Sequence, residues 1–476
     1  MRDLTKGNIK ADIWSMAIPL IAASFVQMAY NLTDMIWLGH VSADCVAAVG
    51  VAGFFTWLCN ALSYIGKVGA EVTVSQSLGA DKRLLARVYA NQAATLSSIL
   101  ALVYALFIFL MAPGLVGFFH LPDDVSAMAV RYMRIVAPGI FFTFNNNTYS
   151  GLYNGQGNSK TPLKVVATGL LINMILDPLL IYGIGPVPAL GTSGAAIATA
   201  SSQFVVFAIF VYSLFVRRSP LGKLHFLTCL RGSFVGRIVK LGVPVSAQSA
   251  LFSMFSMSLG SMASLWGSTG VAVQSIGAQI EAITWMTAAG FSTALASYVG
   301  QNYGARNFGR INAGYKFTLK LALSISGLAT IVFMFFGREL FSVFVSEPAA
   351  LDAGRDYMFI LALSQVFVSI ESVTAGAFNG YGRTTPPAIN GIILTGLRLP
   401  FAYALMHIPA LGLNGIWIAV SISSILKGIV LTIWYHHFHQ RLEKKEDIRR
   451  LKKGIYREDP LASSEIHDNQ HPGTFA

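Results

Sequence analysis

Residues 154–162 read Asn-Gly-Gln-Gly-Asn-Ser-Lys-Thr-Pro, and the same frame returns at 379–387 as Asn-Gly-Tyr-Gly-Arg-Thr-Thr-Pro-Pro, 225 residues later. The same shift carries Pro19 onto Pro244, Gln76 onto Gln301, Gly79-Ala80 onto Gly304-Ala305 and Tyr132-Met133 onto Tyr357-Met358. One unbroken shift over so long a stretch marks an internal duplication. After a four-residue deletion the match resumes at 221, with Gly191, Gly194 and Ala198 on Gly412, Gly415 and Ala419.

The duplicated unit is a membrane unit. Of 476 residues, 54% are hydrophobic and only 12% charged, and the mean hydropathy is +0.58, which excludes an ordinary soluble domain. Apolar runs long enough to cross the hydrocarbon core as helices recur about twelve times, near 13–38, 46–74, 91–113, 130–153, 163–183, 193–216, 238–264, 271–299, 314–336, 357–379, 388–407 and 413–436. The first follows Arg2, Lys6 and Lys10 but exceeds a signal-peptide core in length, so it reads as an uncleaved span. Each copy then holds six spans. An even number makes both copies enter the membrane the same way, related by an axis along its normal, as recurs in secondary transporters. The expected fold is therefore an all-α polytopic membrane protein, twelve transmembrane helices in two pseudo-symmetric six-helix bundles. The expected domains are an N-lobe (1–216), a cytoplasmic linker (217–240) serving as hinge or tether, a C-lobe (241–439) and a basic cytoplasmic tail (440–476). That tail reads as a juxtamembrane helix on anionic membrane lipid followed by a disordered segment.

A net charge of +12 could suggest nucleic acid, yet its placement predicts no nucleic-acid partner. All 34 Lys and Arg fall on one set of alternate loops and termini, except Lys67, Arg398 and Lys427 in spans and Arg131, Arg134, Arg338 and Arg355 on the other side. The positive-inside rule then predicts a multi-pass protein of the cell (inner) membrane with both termini cytoplasmic, expected to act as a monomer. Cys45, Cys59 and Cys229 are scattered and read as free thiols rather than a disulfide framework. His436, His437 and His439 lie at a helix end and read as interfacial. With neither a phosphate loop nor a His-Glu-x-x-His helix, the chain is not expected to be an enzyme or to bind ATP or another cofactor.

Chemistry concentrates at acids inside spans, where each ionised side chain costs roughly 2.5–3.5 kcal/mol on insertion scales and commonly marks an ion pathway. Asp34 lies in the first span one turn after Tyr30, and Asp177 in the fifth one turn after Asn173 and directly before Pro178. Asn145, Asn146 and Asn147 place amides in the Phe-rich fourth span. Each Asn could equally hydrogen-bond a neighbouring helix. In the second copy Glu281 and Glu371 lie in spans eight and ten; either could contact a cationic substrate, and Glu281 could instead pair with Arg398 or Lys427. Lys67 and Glu71, one turn apart, read as a local pair.

Pro19, Tyr30, Asp34, Gln76-x-x-Gly79-Ala80, Asn173-x-x-x-Asp177-Pro178 and the Gly155-x-Gly157 turn resemble the multidrug and toxic compound extrusion (MATE) family, over essentially residues 5–435. The chain looks most like the DinF-like branch. That resemblance implies that Asp34, Asp177, Asn173, Asn147 and Tyr30 fall where the branch places its N-lobe cation-binding network, and that Pro19 bends the first helix as a hinge. The NorM-like branch has a glutamate in the seventh span, whereas Pro244 to Trp266 contains no acid. The function expected is a cation-coupled antiporter exporting small organic, cationic amphipathic compounds by alternating access. The coupling ion is H+ or Na+, since Asp34, Asn147, Asn173 and Asp177 offer hard oxygens that suit Na+ as well as a titrating pair. A lipid-linked oligosaccharide flippase of the same superfamily is the alternative, and a channel the third reading. A polyanionic cargo would want several cations in the cavity, whereas the spans hold more acids than bases.

Overall fold

The computed structural model describes residues 2–39, 41–183, 188–216, 221–222 and 224–458; the side chains of residues 31, 32, 34–36, 39, 43, 445–447 and 449–458 are outside the described set. Among the described residues thirteen α-helices follow one another without a β-strand element: α1 (Ile9–Gly39), α2 (Ala43–Gly79), α3 (Arg83–Gly117), α4 (Asp123–Gly155), α5 (Lys160–Tyr182), α6 (Thr192–Val211), α7 (Gly232–Ala263), α8 (Gly267–Gly304), α9 (Phe308–Ser342), α10 (Pro348–Gly380), α11 (Thr385–Gly396), α12 (Arg398–Met406) and α13 (Leu413–Glu458). Eleven stretches are long and apolar enough to span a membrane, and one of them, Gly232–Gly304, runs 73 residues. At 1.5 Å per residue that is about 110 Å of helix against a core of about 30 Å, and the 3-10 turn at Ser264–Trp266 divides it into α7 and α8. The count is thus twelve spans, with α11 and α12 together forming the eleventh. Leu102, Val103, Leu106, Phe109 and Leu110 of α3 stand exposed, as suits a face turned to lipid rather than water.

The described residues up to Leu431 form one compact unit and those from Thr432 to Glu458 a second. In the first, the duplication is visible in backbone detail. Gly157 and Gly382 both adopt φ near +73° (72° and 73°). At each, the glycine N–H reaches the Asn carbonyl three residues back at 2.8 Å, and the next N–H reaches the carbonyl five residues back, Asn158 to Tyr153 and Arg383 to Phe378. This is a Schellman C-cap, in which a left-handed residue lets two terminal carbonyls find donors; glycine takes that conformation without a Cβ penalty.

The two lobes meet at the end carrying Lys82, Arg83 and Arg306, called here the basic end. Gly79 of α2 lies so close to Gln301 of α8, and Gly304 of α8 to Gln76 of α2, that a Cβ at either would run into the facing carbonyl. Gln76 donates to the Gly380 carbonyl at 2.9 Å and Gln301 to the Gly155 carbonyl at 3.1 Å. Each bond is the 225-residue image of the other. The amino-terminal segment crosses the same seam. Its Arg2 N–H reaches Gln156 of the N-lobe at 3.1 Å, the Leu4 N–H reaches Gln301 of the C-lobe at 2.9 Å, and Asp12 ion-pairs with both Arg2 (2.8 Å) and Arg310 (3.2 Å). Arg310 also caps the carbonyls of Leu4 and Gly7.

α7 begins at Gly232, so the last part of the expected linker is its first turns. The described remainder is pinned along α3 rather than loose: Thr228 N–H donates to Thr95 Oγ1 and Arg231 N–H to Gln92 Oε1, while Leu221 and Leu224 are buried. An extended backbone needs partners for its polar groups, and the amide and hydroxyl side chains of α3 supply them. In the second unit α13 continues to Glu458; the expected disordered segment from residue 459 lies outside the described residues. His437 bonds the Ile433 carbonyl and His439 faces Glu443 at 3.2 Å, both within their own helix.

Candidate functional site

α1 runs unbroken from Ile9 to Gly39 with Pro19 inside it. Proline cannot donate to the carbonyl four residues earlier, here Ser15, and the Ser159 hydroxyl of the α5 cap donates to that carbonyl instead, at 3.4 Å. Beyond Pro19 the helix passes a small N-lobe cavity of about 70 Å3 lined by Gln27, Tyr30, Asn60, Asn146, Asn147 and Gln203. Its wall is built from amides. Asn147 Nδ2 donates to Asn60 Oδ1 (3.1 Å) and Ser63 Oγ (2.8 Å), Asn146 Nδ2 to Gln203 Oε1 (3.0 Å), and the Tyr30 hydroxyl to Thr199 Oγ1 (3.1 Å). The structure therefore brings two expected site residues, Tyr30 and Asn147, to one cavity.

Asn173 and Asp177 form a second part. Both are fully buried, and Asn173 Nδ2 donates to Asp177 Oδ1 at 3.3 Å across one helical turn. The Asn173 Oδ1 atom has no hydrogen-bond partner among the described residues. Gly169 and Leu170, just before them on α5, line the Tyr30 and Asn147 cavity. Asp34 is in α1 one turn beyond Tyr30, and its side chain lies outside the described residues. The donor set is oxygen-rich, and a carboxylate with amide oxygens is suited to a proton or a hard cation.

The C-lobe groups are arranged differently. Glu371 Oε2 is 3.0 Å from Lys427 Nζ, each side chain about nine-tenths buried (12% and 10% exposed). The base that sequence reasoning could have given to Glu281 thus belongs to Glu371. Glu281 Oε1 accepts from Gln365 Nε2 at 3.3 Å, and Arg398 donates to Ser423 and Ser424 at 2.8 and 3.1 Å. The local pair expected of Lys67 and Glu71 is not formed either: Glu71 Oε1 accepts from Ser297 of the other lobe at 2.7 Å. Helical spacing placed the two side chains one turn apart but could not show that a hydroxyl from another helix was nearer.

Sequence reasoning missed Asn60, Thr199 and Gln203, isolated polar residues in apolar spans whose significance depends on which helix faces them. Gln76 and Gln301 were visible through the repeat, but not as the bonds that tie the lobes.

A model of the MatE family matches the chain twice, at residues 19–179 and 244–404, offset by the same 225 residues. The probable multidrug resistance protein NorM of Thermotoga maritima is 26% identical over 437 residues, 90% of this chain and 92% of that one. A Shewanella oneidensis FAD transporter is 25% identical, covering 87% of this chain and 92% of that one. Among solved structures, a crystal structure of MATE in the straight conformation superposes with a TM-score of 0.85 at 26% identity, over 93% of this chain and 98% of the other. Matched by the same family model in each lobe, and built on the MATE architecture throughout, the chain belongs to the MatE family, the multidrug and toxic compound extrusion transporters.

Proposed function

We propose that this protein is a multidrug efflux antiporter, coupled to H+ or Na+, that exports cationic amphipathic organic compounds across the cell (inner) membrane by alternating access. The observation that carries the reading is the fully buried Asp177 with its Asn173 donor, on the helix that lines the Tyr30 and Asn147 cavity. A carboxylate this deeply buried is costly in its charged form, so its charge is a place where a proton or a hard cation can act. Asp34 on α1 belongs to the same network in this reading, and Pro19 is where α1 bends when the charge changes. The names of relatives, probable multidrug resistance proteins among them, support multidrug export.

With the basic end taken as cytoplasmic, the seam formed by Gln76, Gln301 and Arg310 ties the lobes together on the cytoplasmic side, and in this reading cargo departs outward. A coupling ion drives that exchange only if it binds the two states with different affinity. The flippase alternative wants several free cations for a polyanion, but Lys427 is paired with Glu371 and Arg398 is held by two serines, which leaves Lys67 alone of the three span bases to meet one and disfavours that reading. The protein is proposed to work as a monomer in contact with lipid and small substrates alone, with no cofactor and no nucleic acid.

Efflux of a fluorescent lipophilic cation from inverted vesicles, under an imposed pH gradient and separately an imposed Na+ gradient, tests this. One gradient should drive uphill movement. Movement that only follows the substrate's own gradient, under both conditions, would replace the antiporter with a channel.

A further inference from the structure

Between the lobes, toward the basic end, lies a cavity of about 150 Å3 lined by Tyr64, Lys67 and Glu71 of α2, Val245 of α7, Thr293 of α8 and Asn379 of α10. We propose that Lys67 and Glu71 form a cargo subsite there for a zwitterionic head group, the ligand's ammonium facing Glu71 and Asn379 and its carboxylate facing Lys67. This rests on the export reading above and changes its substrate class from a simple cation to a molecule whose ammonium is accompanied by a carboxylate.

Packing decides where the two side chains go. Gly151 and Gly155 of α4 lie against the backbone of α2: a Cβ on Gly151 would collide with the Lys67 carbonyl oxygen, and one on Gly155 would sit 2.7 Å from that of Glu71. Small residues one turn apart allow two helix backbones to approach this closely. With α4 packed so tightly on one face of α2, Lys67 and Glu71 project into the seam.

The duplication supplies a control within the molecule. Gly376 and Gly380 of α10 repeat the contact on α8, against Ser292 and Ala296, the 225-residue images of Lys67 and Glu71. Ser292 and Ala296 line the same cavity. The scaffold therefore packs equally well with a hydroxyl and a methyl, and the charge pair on α2 is not required by the packing. Intramembrane ionisable residues carry a cost that function commonly explains.

The two charges are also left available to a ligand. Lys67 makes no ion pair within 4 Å among the described residues; its ammonium lies 5.2 Å from the Tyr64 ring centroid, a weak attraction beside a carboxylate contact. Glu71 accepts one hydrogen bond, from Ser297, and a carboxylate can accept about four. The buried Asn379 Oδ1 has no partner among the described residues. An acceptor pair on one side and an ammonium on the other match an α-amino acid head in charge. The volume fits too, since a cavity of about 150 Å3 can take a benzene-sized molecule, about the size of an amino-acid head.

Dansyl fluorescence on the purified full-length protein tests this, with Nε-dansyl-lysine as the zwitterion, its methyl ester as the cation and its Nα-acetyl derivative as the anion. The zwitterion should bind about tenfold more tightly than either derivative, the scale of one charge-assisted hydrogen bond. Lys67→Gln should erase the advantage over the ester without weakening ester binding, and Glu71→Gln the advantage over the acetyl compound. Equal binding of all three probes, no saturable zwitterion binding, or a parallel loss for all three in Lys67→Gln overturns the subsite. Should Glu71→Gln fold poorly, Lys67→Gln alone decides. The assay is at equilibrium and has no gradient, so a failure of coupled efflux would leave its result intact.

Discussion

The two lobes share a backbone and differ in chemistry. In the N-lobe, Asp177 accepts from Asn173 on α5, the helix whose Gly169 and Leu170 line the cavity that holds Asn60, Asn147 and Gln203. In the C-lobe the 225-residue image of Asn173 is Arg398, and that of Asp177 is Ala402. The acids there, Glu371 and Glu281, stand beside Lys427 and Gln365. Glu371 already holds an ammonium of its own protein, whereas Asp177 and Glu281 each accept from a neutral amide. In the reading proposed above, the N-lobe acid serves binding and the Glu371–Lys427 pair braces the C-lobe, on copies of the same helices.

The largest expected effect is on transport. Asp34→Asn and Asp177→Asn should each reduce gradient-driven efflux by more than tenfold in vesicles, with the proteins inserted and stable, whereas the paired change Glu371→Gln with Lys427→Met should retain most of it. Efflux lost in the C-lobe double variant and kept in Asp34→Asn would reverse the assignment of the lobes.

Stability should show the opposite order. Lys427→Met leaves Glu371 buried without its ammonium and should cost about 3 kcal/mol, the range for breaking a buried pair by removing one partner. The double variant should recover most of that in detergent unfolding, because the orphaned charge is gone. A double variant as unstable as the single would mean that the pair contributes more than mutual neutralisation.

A smaller, kinetic difference is expected at the two prolines. Pro19→Ala should slow turnover several-fold and Pro244→Ala less, since α1 carries Asp34 downstream and α7 carries no acid. Distance probes across α1 at acid and alkaline pH provide the check; a helix of unchanged shape in transporting protein removes the hinge.

The smallest effect concerns the strap over the basic end. Arg310→Gln removes the guanidinium that joins Asp12, Leu4 and Gly7 and should loosen the amino-terminal segment by about 1 kcal/mol, on the scale of one or two partly exposed hydrogen bonds. Faster hydrogen exchange at residues 2–8 with global stability unchanged is the expected readout. Unaltered exchange would show that the buried Leu4 side chain holds the strap without it.

The sequence alone determined whatever depends on local pattern or on the repeat. Span lengths, the two copies, the glycine turns at Gly157 and Gly382, and the one-turn pairing of Asn173 with Asp177 follow from hydropathy, φ preference and the 3.6-residue period, and all are present in the structure. Partner choice across helices was decided only by tertiary structure. Lys427 could have served either Glu281 or Glu371, and Glu71 could have paired with Lys67; packing gave the first to Glu371 and turned the second to Ser297. The reason is geometric: a helix specifies which of its own residues share a face, but the neighbour opposite that face is set by how close the helices come, and here glycines permit that approach, Gly300 of α8 against Ser75 of α2 and Gly428 of α13 against Phe367 of α10.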